Sequence, residues 1–126
     1  LKGYSSLHFY GGVNRYAWVV GIDSKVVRTT DGGKTWEIIE TGAPRQHFFD
    51  ISVDTAGGVF IVGNGIVLLS GDNGRTWEDS SAIDLPVKYG WLYGSDWCAE
   101  GFAAVGWQGA VYRFGATLAS WKGPDQ

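Results

Sequence analysis

Short apolar runs that end at a glycine recur along the chain and define its organisation. Three of them, Ala17–Gly21, Val59–Gly63 and Ala103–Gly106, are each followed by a tight turn and a second apolar run. Asn64-Gly65, in the middle turn, is a strong two-residue hairpin signal because both positions favour a positive φ. The pattern predicts antiparallel hairpins of short strands.

Each predicted hairpin is flanked by one further candidate strand on either side, and the strand that follows it starts at a tryptophan. In chain order the predicted strands are Ser6–Tyr10, Ala17–Gly21, Val26–Thr30 and Trp36–Glu40; Phe48–Asp54, Val59–Gly63, Ile66–Ser70 and Trp77–Ser80; Tyr89–Gly94, Ala103–Gly106, Ala110–Gly115 and Trp121–Gly123. No window shows a helical period of apolar residues. We therefore predict three units of four short strands.

An eight-residue phrase occurs twice between the third and fourth predicted strands of a unit. It reads TTDGGKTW at 29–36 and SGDNGRTW at 70–77, so that its two tryptophans lie 41 positions apart. Trp121 follows 44 positions later, but Ala116 stands where the aspartate belongs. Four antiparallel strands repeated at this period are typical of β-propeller blades. A β-sandwich would lack the recurring phrase, and a β-solenoid would have a shorter period.

The predicted fold class is all-β: a single β-propeller segment over residues 1–126 with three four-stranded antiparallel blades. The blades are expected at about 4–41, 47–81 and 88–124. Because complete propellers have roughly four to eight blades, three leave an open arc with two unpaired apolar end faces. We expect a second copy to complete a six-bladed ring as a homodimer. The alternative is that these blades belong to a longer chain, and the start at Leu1 favours a processed or excised product.

The chemistry of the repeated phrase favours a structural turn. Asp31 and Asp72 can accept hydrogen bonds from backbone N–H groups of their own turns, while Gly33 and Gly74 can adopt a positive φ. The threonine hydroxyls can close further local bonds, and the tryptophans can pack onto the blade. The predicted structural residues are Asp31, Gly33, Thr35, Trp36, Asp72, Gly74, Thr76, Trp77 and Trp121. Neither aspartate is expected to be catalytic or to bind a metal.

The repeated phrase resembles the Asp-box, or BNR, repeats of sialidases, other glycoside hydrolases, sortilin-type receptors and the photosystem II assembly/stability factor family. The longer string from Val20 to Glu37 is most similar to the last of these. That resemblance implies a propeller in which the box is structural and the whole serves as a scaffold for a partner protein. It also implies a basic surface of arginines at a repeated position, where the first and third units have Arg28 and Arg113 and the middle unit has Leu69. It favours an extracytoplasmic compartment, namely periplasm, lumen or secreted.

Composition and charge exclude several kinds of partner. The net charge is −3 and no basic stripe is present, so no nucleic-acid partner is expected. No apolar stretch approaches the roughly 18 residues of a membrane span. Cys98 is the only cysteine, which excludes an internal disulfide and a cysteine-rich metal site. His8 and His47 are too isolated to suggest a metal site, so neither a metal nor another cofactor is expected.

The candidate binding residues lie mainly in predicted loops. In a propeller, the loops between blades and the turns between second and third strands emerge on one face. In this chain, the predicted loops and turns of that face carry aromatic side chains beside amide and cationic side chains. Such a surface suits a peptide or a carbohydrate. The candidate binding residues are Arg45, His47, Trp107, Gln108, Arg28 and Arg113.

The chain lacks the signs of glycoside-hydrolase chemistry. A sialidase needs several arginines that converge on a substrate carboxylate, and no Arg-Ile-Pro segment of the sialidase kind is present. Two carboxyl groups at a defined separation are also needed, and nothing in the sequence pairs Asp50, Asp54 or Asp96. We therefore predict a non-catalytic binding and assembly scaffold that recognises a protein. The alternative is a carbohydrate-active protein, either a sialidase-like or other hydrolase remnant or a lectin.

Overall fold

The computed structural model describes residues 4–10, 16–54, 56–80, 90–98, 101–115 and 117–121. They form three antiparallel sheets, and the all-β prediction is confirmed. The first sheet contains β1 (Tyr4–Tyr10), β2 (Tyr16–Gly21), β3 (Val26–Thr29) and β4 (Glu37–Ile38). The second contains β5 (Phe48–Val53), β6 (Val59–Gly63), β7 (Val67–Ser70) and β8 (Glu78–Asp79). The third contains β9 (Leu92–Cys98), β10 (Gly101–Gly106) and β11 (Val111–Phe114).

The strands of each sheet follow one another in chain order, as expected for propeller blades. The first strands lie side by side, with β5 between β1 and β9, so that they form the inner row of the arc. Among the described residues, none forms a helix that is long and apolar enough to cross a membrane.

The third blade differs from the expected four strands in the part of the chain that the structure describes. Short 3₁₀ turns occur at Trp107–Gly109 and Leu118–Ser120. Trp121 follows the second turn without joining a strand, and residues 122 and 123 of the predicted fourth strand lie outside the described residues. Because the third unit has no aspartate to close its turn, a 3₁₀ turn stands where the first two blades have an Asp-box.

The core between blades 1 and 2 combines one face of each sheet. Trp18, Val20 and Val26 of blade 1 pack against Phe48, Ile51 and their neighbours in blade 2. Trp18 and Phe48 are fully buried. Burial of each large side chain stabilises the fold by about 1.5–3 kcal/mol, so this contact fixes the two blades to each other.

The core between blades 2 and 3 uses the opposite face of blade 2. Phe60 stacks on Phe102 with ring centroids 4.8 Å apart, and Phe114 lies 5.0 Å from Phe60. Trp121 packs against the edge of this core at 5.9 Å from Phe114. Blade 2 is therefore covered on both faces, which explains why β6 and the first three residues of β7 form continuous apolar runs instead of alternating.

The glycine that ends the second strand of blade 2 and of blade 3 marks a close approach of two backbone segments. A Cβ atom on Gly63 would overlap the carbonyl oxygen of His47, and one on Gly106 would overlap that of Trp91. These carbonyls belong to the residue before β5 and β9, respectively. The repeated glycine is therefore required where the chain enters the inner strand.

Candidate functional site

The first Asp-box turn is closed by the side chain of Asp31. Its Oδ1 atom accepts from the Thr29 hydroxyl at 2.7 Å and from the Thr35 N–H at 2.9 Å. Its Oδ2 atom accepts from the Thr35 hydroxyl at 2.6 Å. The hydrogen bonds, led by that of the Thr35 hydroxyl, hold the pKa of Asp31 well below its usual range.

The second Asp-box turn repeats this geometry. Asp72 accepts from the Thr76 hydroxyl at 2.5 Å, from the Thr76 N–H at 2.9 Å and from the Ser70 hydroxyl at 2.8 Å. These bonds, led by that of the Thr76 hydroxyl, lower the pKa of Asp72 to about 2. Both oxygens of each carboxylate are thus bonded inside the turn, an arrangement that suits structure better than proton transfer.

The three predicted structural tryptophans have different surroundings. Trp77 packs at the core between blades 1 and 2, and its Nε1–H donates to the carbonyl of Gly74 at 3.1 Å. Trp36 is 36% exposed on the first blade, close to Gly33. Trp121 packs on the ring of Phe114. The shared sequence position therefore does not give a shared degree of burial.

Arg28 connects blade 1 to the Asp-box of blade 2. Its Nη1 atom donates to the carbonyl of Asn73 at 2.7 Å, and its Nε atom donates to Glu37 at 2.6 Å. The guanidinium lies 5.1 Å from the ring centre of Trp18. Arg113 has the matching position on β11, where it pairs with Ala103, and its side chain is exposed. Both arginines belong to strands near the Asp-box side.

The opposite face, which we call the turn face, is formed by the β2–β3, β6–β7 and β10–β11 turns together with the chain before β5 and before β9. Two backbone hydrogen bonds join turns to the following blade: Ser24 N–H donates to Gln46 O at 2.6 Å, and Gly65 N–H donates to Gly90 O at 2.8 Å. The turns and the interblade segments therefore meet here, as the sequence predicts.

Arg45 and His47 lie together at the first junction of the turn face. Arg45 is 78% exposed and its Nε atom is 3.5 Å from a carboxylate oxygen of Asp23. The Nδ1 atom of His47 accepts from the backbone N–H of Asp23 at 3.3 Å. Asp23 has a φ of 54° in the turn between β2 and β3.

Trp107 and Gln108 lie at the third blade of the same face. Trp107 is 55% exposed, and the ring centre of Trp91 is 6.4 Å away. Gln108 has a φ of 58° in the turn that follows β10. Asn64 connects this pair to the first junction, because its N–H donates to His47 O and it forms a β-bridge with Trp91.

Three aromatic residues beside Trp107 were missed from the sequence: Phe49, Trp91 and Tyr93. Phe49 lies within 6 Å of both others, measured between ring centres. Trp91 directly precedes β9, and Phe49 and Tyr93 are the second residues of β5 and β9; this shared position at the start of an inner strand is the signal that could have identified them. The structure thus brings four of the candidate residues to one face and leaves Arg28 and Arg113 apart from it.

Among the described residues, no group of three or more histidine, cysteine, aspartate or glutamate side chains is placed to hold a metal ion. The inner strands carry a polar contact instead. The carboxylate of Asp50 accepts from the N–H of Ser95 at 2.6 Å and from its hydroxyl at 3.1 Å, and Ser52 lies 2.6 Å from the same hydroxyl. This contact joins the first strands of blades 2 and 3.

Residues 6–123 match the sequence model of a family described as the photosynthesis system II assembly factor YCF48. YCF48 from Cyanidioschyzon merolae is similar in structure, with 24% identity and a TM-score of 0.75 over 95% of this chain and 36% of that one. A YCF48 structure bound to D1 peptide is 25% identical, with a TM-score of 0.76 over 95% and 40% of the two chains. No curated protein sequence matches the chain significantly.

An ancestral GH74 enzyme is also similar, with 15% identity and a TM-score of 0.70 over 94% of this chain and 20% of that one. At that identity the likeness concerns the fold alone. The chain spans 36% and 40% of the length of the two YCF48 structures. These matches confirm the predicted β-propeller fold and the Asp-box resemblance. Because the family model covers residues 6–123, the chain belongs to the photosynthesis system II assembly factor YCF48 family.

Proposed function

We propose that this chain is a non-catalytic β-propeller unit that binds a protein partner through its turn face. The observation that carries the proposal is the contrast between its two faces. The Asp-box carboxylates are bonded within their own turns, whereas Arg45, His47 and Trp107 extend exposed side chains from the turn face. Turns that are closed by their own hydrogen bonds on one face, with exposed side chains on the other, are expected of a binding scaffold.

A related protein supplies the first probe. The YCF48 structure that is bound to D1 peptide shares the fold of this chain over 95% of its length. We therefore propose a peptide segment of a partner protein as the ligand, and D1 peptide as the molecule to test first.

Four of the candidate residues form the proposed binding surface: Arg45, His47, Trp107 and Gln108. A cation and a histidine at one end and an aromatic ring with an amide at the other suit a peptide that carries polar and apolar side chains. The bonds of Arg28 to Glu37 and Asn73 favour a structural role for that arginine. We propose the same role for Arg113 by its matching position.

Calorimetric titration with D1 peptide tests this function. We expect saturable binding that the double change Arg45→Ala and His47→Ala weakens at least about fivefold, because two exposed polar contacts are lost. Arg75→Ala, an exposed arginine in the second Asp-box, is the matched control and should leave the affinity unchanged. Absence of D1 binding by the folded chain would contradict the proposal in this form.

A carbohydrate ligand has weaker support. The GH74 neighbour is 15% identical, and the described carboxylates of the two Asp-boxes are bonded within their turns. We therefore keep carbohydrate binding as an outcome to be measured beside the peptide and propose no hydrolytic reaction.

We also propose that the end face of blade 3 contacts a further blade, supplied either by a second copy or by a longer chain. Val105 on this face is 50% exposed, whereas the matching residues of the other blades, Val20 and Val62, are fully buried against the next blade. The outer face of blade 1 gives less support for a contact with a second copy. Val19 and Val27 on that face are already buried within the chain.

A further inference from the structure

An open cavity of about 160 Å³, which we call the box cavity, lies beside the Asp-box of blade 1. Its walls come from β3, from the repeated phrase and from the start of β4, and the residues are Arg28, Thr30, Thr35, Trp36 and Glu37. Pockets for drug-sized ligands have volumes of ~300–1,000 Å³. The box cavity is smaller and therefore accommodates one ring-sized unit.

Several polar groups of these walls have no hydrogen-bond partner among the described residues. They are the Thr30 hydroxyl, the Nε1–H of Trp36 and the Oε2 atom of Glu37. Arg28 is held in place by three hydrogen bonds, two to the Oε1 atom of Glu37 and one to the carbonyl of Asn73. Its remaining N–H groups likewise have no partner in the described part of the chain. Unsatisfied donors and acceptors thus line one cavity.

Two of the cavity residues are specific to blade 1. Leu69 and Gly71 of blade 2 occupy the positions that Arg28 and Thr30 have in the repeat. The second Asp-box nevertheless closes around Asp72 with the same pattern of hydrogen bonds. Arg28 and Thr30 are therefore not required to build an Asp-box turn.

The other polar groups of the cavity have counterparts in blade 2 that are used within the fold. The Nε1–H of Trp77, which corresponds to Trp36, donates to a carbonyl of its own turn at 3.1 Å. The Oε2 atom of Glu78, which corresponds to Glu37, accepts from the N–H of Leu118 in blade 3 at 3.1 Å. Blade 1 thus leaves open two hydrogen-bonding groups that blade 2 uses for its own structure.

The charges in the box cavity cancel, because Arg28 and Glu37 form an ion pair. An anionic ligand would compete with Glu37 for the guanidinium, and a cationic ligand would compete with Arg28 for the carboxylate. The cavity therefore favours a neutral ligand. A wholly apolar ligand is disfavoured as well, because it would cover the free donors and acceptors without bonding to them.

A sugar ring meets these requirements. It is neutral, its C–H groups give it an apolar face, and each of its hydroxyls can both donate and accept a hydrogen bond. Trp36 is 36% exposed and offers an aromatic surface to such a face. Two adjacent hydroxyls match the Arg28–Glu37 pair, since one can donate to the carboxylate while the next accepts from the guanidinium. A trans peptide unit points its N–H and C=O groups to opposite sides and serves this pair less well.

We propose that the box cavity binds one sugar ring of a neutral carbohydrate. The ring lies on Trp36, and its adjacent hydroxyls bond to Arg28, Glu37 and Thr30. This site is separate from the turn face, so the inference goes beyond the proposed peptide-binding function. It concerns binding without hydrolysis, because Glu37 is the one carboxylate among the described residues of the walls and glycoside hydrolysis needs two.

An ¹⁵N–¹H NMR titration with glucose, galactose and mannose tests the inference, because the indole N–H of Trp36 gives its own signal. Sugar concentrations up to ~50 mM are needed, since one ring with few contacts is expected to bind in the millimolar range. We expect at least one of the three sugars to shift this signal saturably. Maltotetraose is titrated in parallel, and tighter binding than that of the single sugars would assign the ring to the end of a glycan.

Three variants locate the sugar. Glu37→Gln should weaken its affinity at least about tenfold and Thr30→Gly about threefold, because each loses a hydrogen bond to a hydroxyl. The turn tolerates glycine at the second position, as Gly71 shows in blade 2. Lys34→Ala is the matched control, since Lys34 is an exposed residue of the same phrase outside the walls, and it should bind like the unaltered chain. Circular dichroism verifies that all three variants are folded.

Several results would overturn the inference. They are an unshifted Trp36 indole signal with all four carbohydrates, unchanged affinity in both Glu37→Gln and Thr30→Gly, and preference for glucuronate over glucose, which would assign the cavity to an anion. D1 peptide is titrated against the same variants. Because the two proposed sites lie on different faces, loss of sugar binding with D1 binding retained affects this inference alone, and the reverse affects only the peptide-binding function.

Discussion

Asp31 and Asp72 are each enclosed by the turn to which they belong. Each carboxylate accepts hydrogen bonds from a threonine hydroxyl, a threonine N–H and a further hydroxyl two residues upstream. All of these bonds favour the ionised form, which lowers both pKa values. The aspartates therefore contribute to folding as anions.

The lowered pKa of Asp72 predicts a loss of stability in acid. Its folded-state pKa is about 2 against 3.8 for the ordinary group. The contribution of the carboxylate is therefore complete above about pH 4 and is lost as the pH falls toward 2. Denaturant midpoints measured from pH 6 to pH 2 should fall less steeply for Asp72→Asn than for the unaltered chain. Parallel curves for the two proteins would contradict this account.

Gly74 combines a positive φ with a tight contact across the junction of blades 1 and 2. Its φ is 85°, and an added Cβ would lie 2.6 Å from the buried ring of Trp18. We expect Gly74→Ala to destabilise the fold by about 2–4 kcal/mol, from backbone strain together with overpacking. Gly32→Ala is the matched control, since its φ is 75° with no atom near the added Cβ. Gly32→Ala should lower the free energy of unfolding by about 1–2 kcal/mol, the cost of the left-handed conformation alone. If urea denaturation shows that the two variants lose equal stability, the contact of residue 74 with Trp18 contributes nothing to the loss.

The local hydrogen bonds of the Asp-boxes could be predicted from the sequence, whereas the burial of individual side chains could not. The Asp-box phrase predicts which atoms can bond locally, because aspartate, threonine and glycine act within eight positions. It does not predict that Trp77 is packed in a core and Trp36 is more exposed, since burial depends on the neighbouring blade. Phe49 and Trp91 were missed for the same reason: they meet only after two blades have docked.

At the scale of elements, the junction of blades 1 and 2 is joined by a side chain as well as by packing. Arg28 on β3 donates to Glu37 on β4 and to the carbonyl of Asn73 in the next Asp-box turn. The arginine at the repeated position, which the family resemblance connects with a basic surface, is engaged here in a contact between blades. Its position could be predicted from the sequence, but its partner 45 residues away could not.

Arg28→Ala should destabilise the protein by about 1.5–3 kcal/mol, because the side chain is 18% exposed and makes charge-assisted bonds. Arg45→Ala provides the comparison. Its pair with Asp23 joins side chains that are 78% and 43% exposed, and removing it should change stability by less than about 0.5 kcal/mol. Thermal and urea denaturation of both variants measure the difference. If Arg28→Ala leaves the stability unchanged, apolar packing alone holds blades 1 and 2 together.

Most of the strands could be predicted from pattern, but the first strand of blade 3 was placed wrongly: β9 spans Leu92–Cys98 and not Tyr89–Gly94, because the half of β9 after Gly94 has no apolar run. Gly63 and Gly106 are explained by the backbone carbonyls that lie against them. The fourth strands are only two residues long in blades 1 and 2. A strand of that length has little apolar pattern of its own, so its prediction depended on the tryptophan that precedes it.

At the scale of the whole molecule, two cores hold three blades in an arc. Blade 2 is buried on both faces, whereas the outer face of blade 3 exposes Val105. If a second copy covers this face, light scattering should give about twice the monomer mass, and Val105→Asp should return the mass to that of one chain. A monomer at high protein concentration would instead favour blades supplied by a longer chain.

We propose that the turn face, and not the Asp-box face, binds a peptide segment of a partner protein. An ¹⁵N–¹H NMR titration of the chain with D1 peptide tests it most directly, because each backbone amide reports on its own surroundings. We predict shifts at the amides of Asp23, His47 and Trp107, with those of Gly33 and Gly74 unchanged. Shifts confined to the two Asp-box glycines, or no shifts at a saturating peptide concentration, would contradict the account.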